Sequence, residues 1–210
     1  MSDVYIYAVD RDYGFAPNPF HGYCTLATCK PAIRNGAQIQ DWVIGIGGLR
    51  LRATRKCVFA MQITNKITFN EYWSNPIFLD KKPVRNGSQK MVVGDNIYHF
   101  DNIQDKWQQA DSHHSNSDGS VNEQNLSTDT RSDKVLISQL FFYFGREAPL
   151  IPSHLLEALE YKNQIGHRVF RNGTADGLVE WLYNSFAGSL NQVIGDPFDF
   201  ENSYERYSPS

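Results

Sequence analysis

The order of its apolar segments constrains the fold of this chain more than any other feature of the sequence. Strand-like stretches rich in β-branched and aromatic residues occur at residues 4–9, 41–46, 58–64, 92–100 and 135–144. Helical patterns follow in the last third, after Ser153 and Thr174, which we predict as N-caps. Strands first and helices last predict an α+β fold rather than alternating α/β.

The length of 210 residues suits one sizeable core and is short for two full domains. We therefore predict a single α+β domain over residues 1–195 and an acidic tail over residues 196–210. Residues 104–134 are mostly polar without periodicity, which predicts a long loop that is either disordered or a functional lid. A short helix is predicted within residues 26–36, where Pro31 suits a first helical turn.

Several classes of protein do not fit the composition. No stretch approaches the ~20 apolar residues of a membrane-spanning helix, and the N-terminus lacks the basic region of a signal peptide. Three cysteines cannot form a closed disulfide set, which favours a reducing compartment, so we expect a cytoplasmic protein with no membrane partner. The net charge of −3 argues against a protein that coats DNA by neutralising phosphates.

Cys29 and two histidines are the candidate catalytic residues. Lys30 follows Cys29, and a neighbouring cation favours the reactive thiolate, although free cysteines are often simply buried. His113 and His114 offer a general acid or base within a polar stretch. In extended backbone they point to opposite sides, so only one of them would easily serve a site. No cluster has convincing ligand spacing, and we predict neither a metal nor a cofactor.

A second group of residues suits a nucleotide-like ligand. Lys30 and Arg34 share a helix face if their segment is helical, and they would bind phosphate or carboxylate. Aromatic residues in predicted loops would stack on a base, at ~1–3 kcal/mol each, and asparagine amides would read its edge. Core aromatics and solvated surface cations are the alternatives. The predicted ligand-binding residues are Asn18, Phe20, Lys30, Arg34, Trp73, Asn96, Tyr98, Ser112 and His113.

Longer motifs carry a family resemblance. The stretches GFAPNPF at residues 14–20, LATCKPAIR at 26–34 and DWVIG at 41–45 resemble the second nucleotide modification associated domain family of bacteria and phages. The likeness continues through FNEYW at 69–73, GDNIY at 94–98, DSHHS at 111–115, VLIS at 135–138 and FYFG at 142–145. It covers roughly residues 5–168 and implies a part in handling modified nucleotides or bases.

A fainter resemblance suggests an architecture. The DWVIG strand, the basic turn at residues 50–56, the strand at 58–64 and the aromatic segment at 69–73 are similar in order to the PUA-like family, especially its EVE and ASCH branches. This likeness implies a mixed or antiparallel β-barrel, here followed by C-terminal helices.

Three functions remain open at this level. The first is binding of a nucleotide or modified nucleobase, free or within nucleic acid, in a DNA or nucleotide modification or defence context. The second is an enzyme that acts on a nucleotide or base with Cys29 as nucleophile. The third is a protein-interaction subunit of a modification operon, and a homodimer or an operon-encoded partner is compatible with each.

Overall fold

The computed structural model describes residues 2–206, which form many short elements. The strands are β1 (Val4–Val9), β2 (Cys24–Leu26), β3 (Trp42–Gly47), β4 (Cys57–Gln62), β5 (Asn65–Thr68), β6 (Tyr98–Asp101), β7 (Lys106–Gln109), β8 (Lys134–Ser138), β9 (Leu140–Tyr143), β10 (His167–Phe170) and β11 (Gln192–Val193). The α-helices are α1 (Pro31–Gly36), α2 (Phe69–Ser74), α3 (Gln89–Val92), α4 (Glu123–Asp129), α5 (Ser153–Ala158) and α6 (Asp176–Phe186). Four 3-10 helices lie at Pro76–Lys81, Gly145–Glu147, Ala187–Ser189 and Phe200–Asn202.

Contacts divide the chain into two compact units. Unit 1 comprises the described part of residues 1–12, 37–64 and 138–198, and unit 2 comprises residues 13–36, 65–137 and the described part of 199–210. The single domain over residues 1–195 stays a prediction. Of the predicted acidic tail, residues 207–210 lie outside the described residues.

Unit 1 is built on a six-stranded mixed sheet with the order β10-β1-β3-β4-β9-β11. Strand β1 runs parallel to β3 and antiparallel to β10, and every residue of β3 is buried. The Tyr183 ring of α6 makes edge contacts with Trp42 and Phe142, so this amphipathic helix packs on the sheet. Gly45 is required in β3 because a Cβ there would overlap the Phe59 ring.

Unit 2 contains a three-stranded sheet with the order β2-β8-β5 and the separate hairpin β6-β7. The short helix α2 is fixed at its start by a capping box, in which Thr68 and Glu71 satisfy each other's backbone N–H groups. Its inner face buries Phe69 and Tyr72. The connections between these elements carry the polar side chains discussed below.

The structure confirms the α+β class, and it differs from the predicted architecture in one respect. Several sheets are present, and in the part of the chain that the structure describes none of them closes into a barrel. The predicted PUA-like barrel is therefore not confirmed. The longest α-helix among the described residues has 11 residues, and none has the length and apolar character that crossing a membrane requires.

The strand predicted at residues 135–144 is two strands, β8 and β9, which belong to different sheets. The chain breaks at Gln139, where the Ser138 hydroxyl donates to the carbonyl of Leu140 at 2.8 Å and accepts from its N–H at 3.1 Å. A side chain that bonds its own neighbours in this way competes with the strand ladder. Because residues 135–144 are almost all apolar, the sequence pattern did not indicate where one strand ends and the next begins.

Other local predictions need smaller corrections. The helix predicted within residues 26–36 begins only at Pro31, because residues 24–26 form strand β2. The short strand predicted within residues 92–100 is β6, which begins only at Tyr98, and α3 ends at Val92. The polar stretch at 104–134 contains β7 and α4, and the N-cap of α6 is Ala175 rather than Thr174.

A network of charged side chains is fully buried in unit 2. The ammonium of Lys81 donates to the Asn18 side-chain oxygen and to two backbone carbonyls at 2.7–3.0 Å. The Asp95 carboxylate accepts from the hydroxyls of Thr25 and Tyr72 at 2.7 and 2.8 Å. Burial raises the pKa of Asp95 to about 6 and lowers the pKa of Lys81 to about 8.

This network predicts a specific dependence of stability on pH. Between pH 3.8 and about 6 the Asp95 carboxyl is protonated in the folded protein and ionised in the unfolded chain, so stability falls as pH rises. A shift of about two pKa units corresponds to about 3 kcal/mol in the free energy of unfolding. We expect the Asp95→Asn variant to lack this fall when unfolding by urea is measured across the range. Parallel curves for the two proteins would contradict the assignment.

Candidate functional site

Cys29, His114 and Asp129 meet in unit 2 and form a closed set of contacts. The Sγ of Cys29 lies 3.6 Å from Nε2 of His114, and Nδ1 of the same ring lies 2.9 Å from Oδ2 of Asp129. The other carboxylate oxygen, Oδ1, accepts the backbone N–H of Cys29 at 2.7 Å. A thiol, an imidazole and a carboxylate in this sequence have the geometry of a cysteine nucleophile with its base and an orienting acid.

The backbone at Cys29 has an uncommon conformation. Cys29 lies in the connection from β2 to α1 with φ 58°, and Lys30 follows with φ 41°. Residues other than glycine rarely adopt this left-handed backbone conformation. Strained residues of this kind concentrate at functional sites, where surrounding contacts hold them. The turn places Cys29 two residues before Pro31, the first residue of α1.

His114 is held by hydrogen bonds to its backbone as well as to its ring. Its carbonyl accepts from the side-chain amides of Gln109 at 3.2 Å and Asn125 at 2.9 Å, and its N–H donates to the Ser112 hydroxyl at 3.3 Å. Asn125 lies in α4, the helix that ends at Asp129. The same short helix therefore supplies the carboxylate and fixes the histidine that bonds to it.

The buried guanidinium of Arg34 joins the segments that carry the nucleophile and the acid. Its Nε donates to the carbonyl of Cys29 at 2.8 Å, and its Nη atoms donate to the carbonyls of Asp129, Ser132 and Lys134 at 2.5–2.7 Å. The phosphate-binding role predicted for Arg34 is not supported, because its donors bond to backbone. Arg34 instead positions Cys29 and Asp129.

The electrostatics of the three groups favour a charged imidazole. Burial of the His114 ring works to lower its pKa, but the charge of Cys29 and the hydrogen bonds to Asp129 and Cys29 outweigh it and raise the pKa to about 10. His114 is therefore protonated at neutral pH. The phenol of Tyr98 adds a hydrogen bond to Oδ2 of Asp129 at 3.0 Å. Asp129 and His114 are buried, whereas Cys29 is partly exposed.

The same three side chains are the metal-ligand candidates in the described part of the chain, with one ligand atom from each lying within 4.8 Å of the others. Their geometry opposes a shared ion, because the two ring nitrogens of His114 face different partners. A structural zinc site takes four protein ligands, and these residues supply three. The arrangement suits proton transfer better than metal binding.

His113, the other predicted catalytic histidine, points away from Cys29. Its Nδ1 lies 2.8 Å from the carbonyl of Glu205, and its ring packs against Tyr13 with centroids 4.3 Å apart. The Phe15 ring contacts both histidines, with centroid distances of 5.3 Å to His113 and 4.8 Å to His114. The structure thus brings one of the two adjacent histidines to the thiol.

The predicted base-reading amides are engaged inside unit 2. The Asn18 amide donates to the Val93 carbonyl at 2.7 Å, and its oxygen accepts from Lys81. The Asn96 amide donates to two backbone carbonyls, those of Tyr72 and Phe78. Both asparagines are buried and hold connecting segments together. Neither asparagine is part of the ligand site proposed below.

The predicted stacking residues have protein partners as well. The Phe20 ring stacks on Phe200 with centroids 5.5 Å apart, and Trp73 stacks on His99 at 4.4 Å. The ammonium of Lys82 lies 3.6 Å from the centre of the Trp73 ring. Tyr98 is buried beside Asp129, where its hydroxyl orients the carboxylate rather than its ring meeting a base.

Two predicted residues stay close to the thiol and the histidine. Lys30 is partly exposed and follows Cys29, whereas Ser112 is buried and accepts the His114 N–H. Sequence reasoning missed Asp129, which is 100 residues from Cys29. An acid in a polar stretch carries no pattern that distinguishes it from its neighbours, so only the fold reveals it.

The nucleotide modification associated domain 2 family matches residues 1–204, and the chain belongs to this family. No curated protein and no protein of solved structure matches the chain. The family resemblance inferred from the motifs is confirmed, and the resemblance to PUA-like proteins is not. Membership associates the chain with nucleotide modification.

We expect Cys29 to be the one cysteine that reacts readily in the folded protein. Cys24 and Cys57 are fully buried, and burial raises the pKa of the Cys57 thiol. Iodoacetamide at pH 7 should modify Cys29 first, as read by peptide mass spectrometry. In the His114→Asn variant Cys29 should react at no more than about a tenth of the wild-type rate, because the sulfur loses its imidazole partner.

His113→Asn is the matched control, since this neighbouring histidine bonds to the Glu205 carbonyl and should leave the rate unchanged. Circular dichroism would establish that both variants fold. Equal rates for the wild type and His114→Asn would contradict the assigned role of His114.

Proposed function

We propose that this member of the nucleotide modification associated domain 2 family is a thiol-dependent enzyme that acts on a nucleotide or modified base. The contact chain from Cys29 through His114 to Asp129 supports the proposal most directly. The left-handed backbone of Cys29 is a second, independent support, because strained backbone conformations are found mainly at functional sites.

The proposed first step is attack by the Cys29 thiolate on an electrophilic carbon, such as the carbonyl carbon of an acyl or amide substituent. A carbon–sulfur bond forms, and the bond from that carbon to its nitrogen or oxygen leaving group breaks. His114, protonated at neutral pH, gives its Nε2 proton to the departing atom. The balanced result is a thioester and a neutral leaving group.

The second step returns the enzyme to its starting state. Neutral His114 accepts a proton from water, or from an amine acceptor, as that nucleophile attacks the thioester. The carbon–sulfur bond breaks, the thiolate re-forms, and His114 again carries its proton. Asp129 stabilises the imidazolium of the resting enzyme and keeps Nε2 directed at the sulfur. Tyr98 and the Cys29 N–H hold the carboxylate in place.

Family membership supports the proposed substrate class. The family association with nucleotide modification favours a nucleotide or modified base, free or within nucleic acid, as the molecule that carries the electrophile. Binding of such a ligand, the first function considered from the sequence, is a requirement of this enzyme. A homodimer or an operon-encoded protein partner stays a prediction.

The test is to trap the intermediate. Purified protein is mixed with N-acyl nucleosides, N-acyl nucleotides and short oligonucleotides that carry N-acylated bases, and intact mass is followed on the millisecond to minute scale. We expect an added acyl mass on Cys29 and release of the deacylated base. Asp129→Asn should lower turnover by about 10²–10⁴-fold, because His114 loses its orienting partner.

Cys29→Ser should show neither adduct nor turnover, and Cys57→Ala, which removes a buried thiol of unit 1, serves as the control. An adduct on a different residue, or turnover that survives Cys29→Ser, would overturn the proposal. So would the lack of any adduct or product with these substrates in protein shown to be folded.

A further inference from the structure

Arg85 in unit 2 has hydrogen-bond donors that the protein does not use. Its Nη2 donates to the backbone carbonyl of Tyr204. The remaining guanidinium nitrogens, Nε and Nη1, are shielded from solvent and have no hydrogen-bond partner among residues 2–206. Buried donors without partners are rare, because each loses its bonds to water without replacement.

A second donor without a partner lies in the segment that Arg85 contacts. Ser203 precedes Tyr204, is fully buried, and its hydroxyl has no partner in the described part of the chain. Two guanidinium nitrogens and one hydroxyl therefore lack acceptors, and the hydrogen bond from Arg85 to the carbonyl of Tyr204 links the segments that carry them. An oxygen-rich anion would satisfy all three, since each of its oxygens accepts hydrogen bonds.

Arg85 has charged neighbours in the same unit. Arg206 forms a two-pronged ion pair with Asp111, with distances of 2.8 and 2.6 Å, and donates to the Ser117 carbonyl at 3.1 Å. Burial, and next the charge of Arg206, lower the pKa of Arg85. Asp118 also acts on Arg206, so two carboxylates balance the two guanidinium groups, and the case for an anion rests on the unused donors of Arg85 and Ser203.

We propose that Arg85 and Ser203 form a binding site for the phosphate group of a nucleotide. Nε and Nη1 of Arg85 would each donate to an anion oxygen, and the Ser203 hydroxyl would donate as well. Tyr204, half exposed, places an aromatic ring in the same segment, where a base can stack. The site takes the role that the sequence suggested for Arg34.

The identification of the phosphate carrier as a nucleotide rests on the proposed function, whereas the anion site itself does not. The experiment below measures ligand binding and does not depend on the reactivity of Cys29. Failure of one proposal can therefore be distinguished from failure of the other.

The experiment measures thermal stability and binding heat of the full chain with inorganic phosphate, nucleoside 5′-monophosphates, the matching nucleosides and a short single-stranded oligonucleotide. Ionic strength is held constant with chloride. At a hundred times its dissociation constant, a specific ligand should raise Tm by about 5 °C or more. We expect this rise with a phosphate-bearing ligand and its loss in Arg85→Met, with Tm of the unliganded variant not lowered.

Arg131→Met is the matched control, because Arg131 is an exposed arginine of the same unit. Its response to phosphate should equal that of the wild type, and Ser203→Ala should weaken binding about tenfold. Arg85-dependent binding of monophosphates identifies a free nucleotide, and Arg85-dependent binding of the oligonucleotide identifies a phosphodiester. Equal responses of wild type and Arg85→Met, or no saturable response to any phosphate, would overturn the proposal.

Discussion

The proposed site depends on the hydrogen bonds that the carboxylate of Asp129 accepts. Its two oxygens receive the Cys29 N–H, the His114 ring and the Tyr98 hydroxyl, all at 2.7–3.0 Å, while its own backbone carbonyl receives Arg34. A buried carboxylate is tolerated only when such donors replace water. Because the donors come from distant parts of unit 2, one side chain fixes the relative placement of the nucleophile and the base.

Burial gives these contacts their chemical effect. The imidazole of His114 would lose its proton in an apolar interior, yet the neighbouring charges raise its pKa to about 10. Charges interact more strongly in a buried site than in water, which favours the protonated imidazole beside Asp129. Arg34 contributes by holding the Cys29 turn in a conformation that it would not adopt alone.

The sequence predicted the fold class and most of the main strands, and it proposed Cys29 together with His113 or His114, but it failed where distant segments meet. Cys29 and His114 were recognised by residue type and local neighbours, and the structure brings them together. Asp129 lies in a polar stretch without periodicity, so nothing local marked it. Arg34 was predicted as a ligand cation, but spacing along a helix does not reveal that carbonyls from residues 129–134 surround its guanidinium.

The most direct measurement of the central claim is the protonation state of the His114 ring by ¹⁵N nuclear magnetic resonance. Spectra of wild type and His114→Asn would identify its signals among those of the 6 histidines. The account predicts that both ring nitrogens carry protons at pH 7, that the ring titrates near pH 10, and that Cys29→Ser moves the titration to lower pH. A neutral His114 at pH 7, or a titration unaffected by Cys29→Ser, would contradict the proposed pairing of a protonated His114 with Cys29.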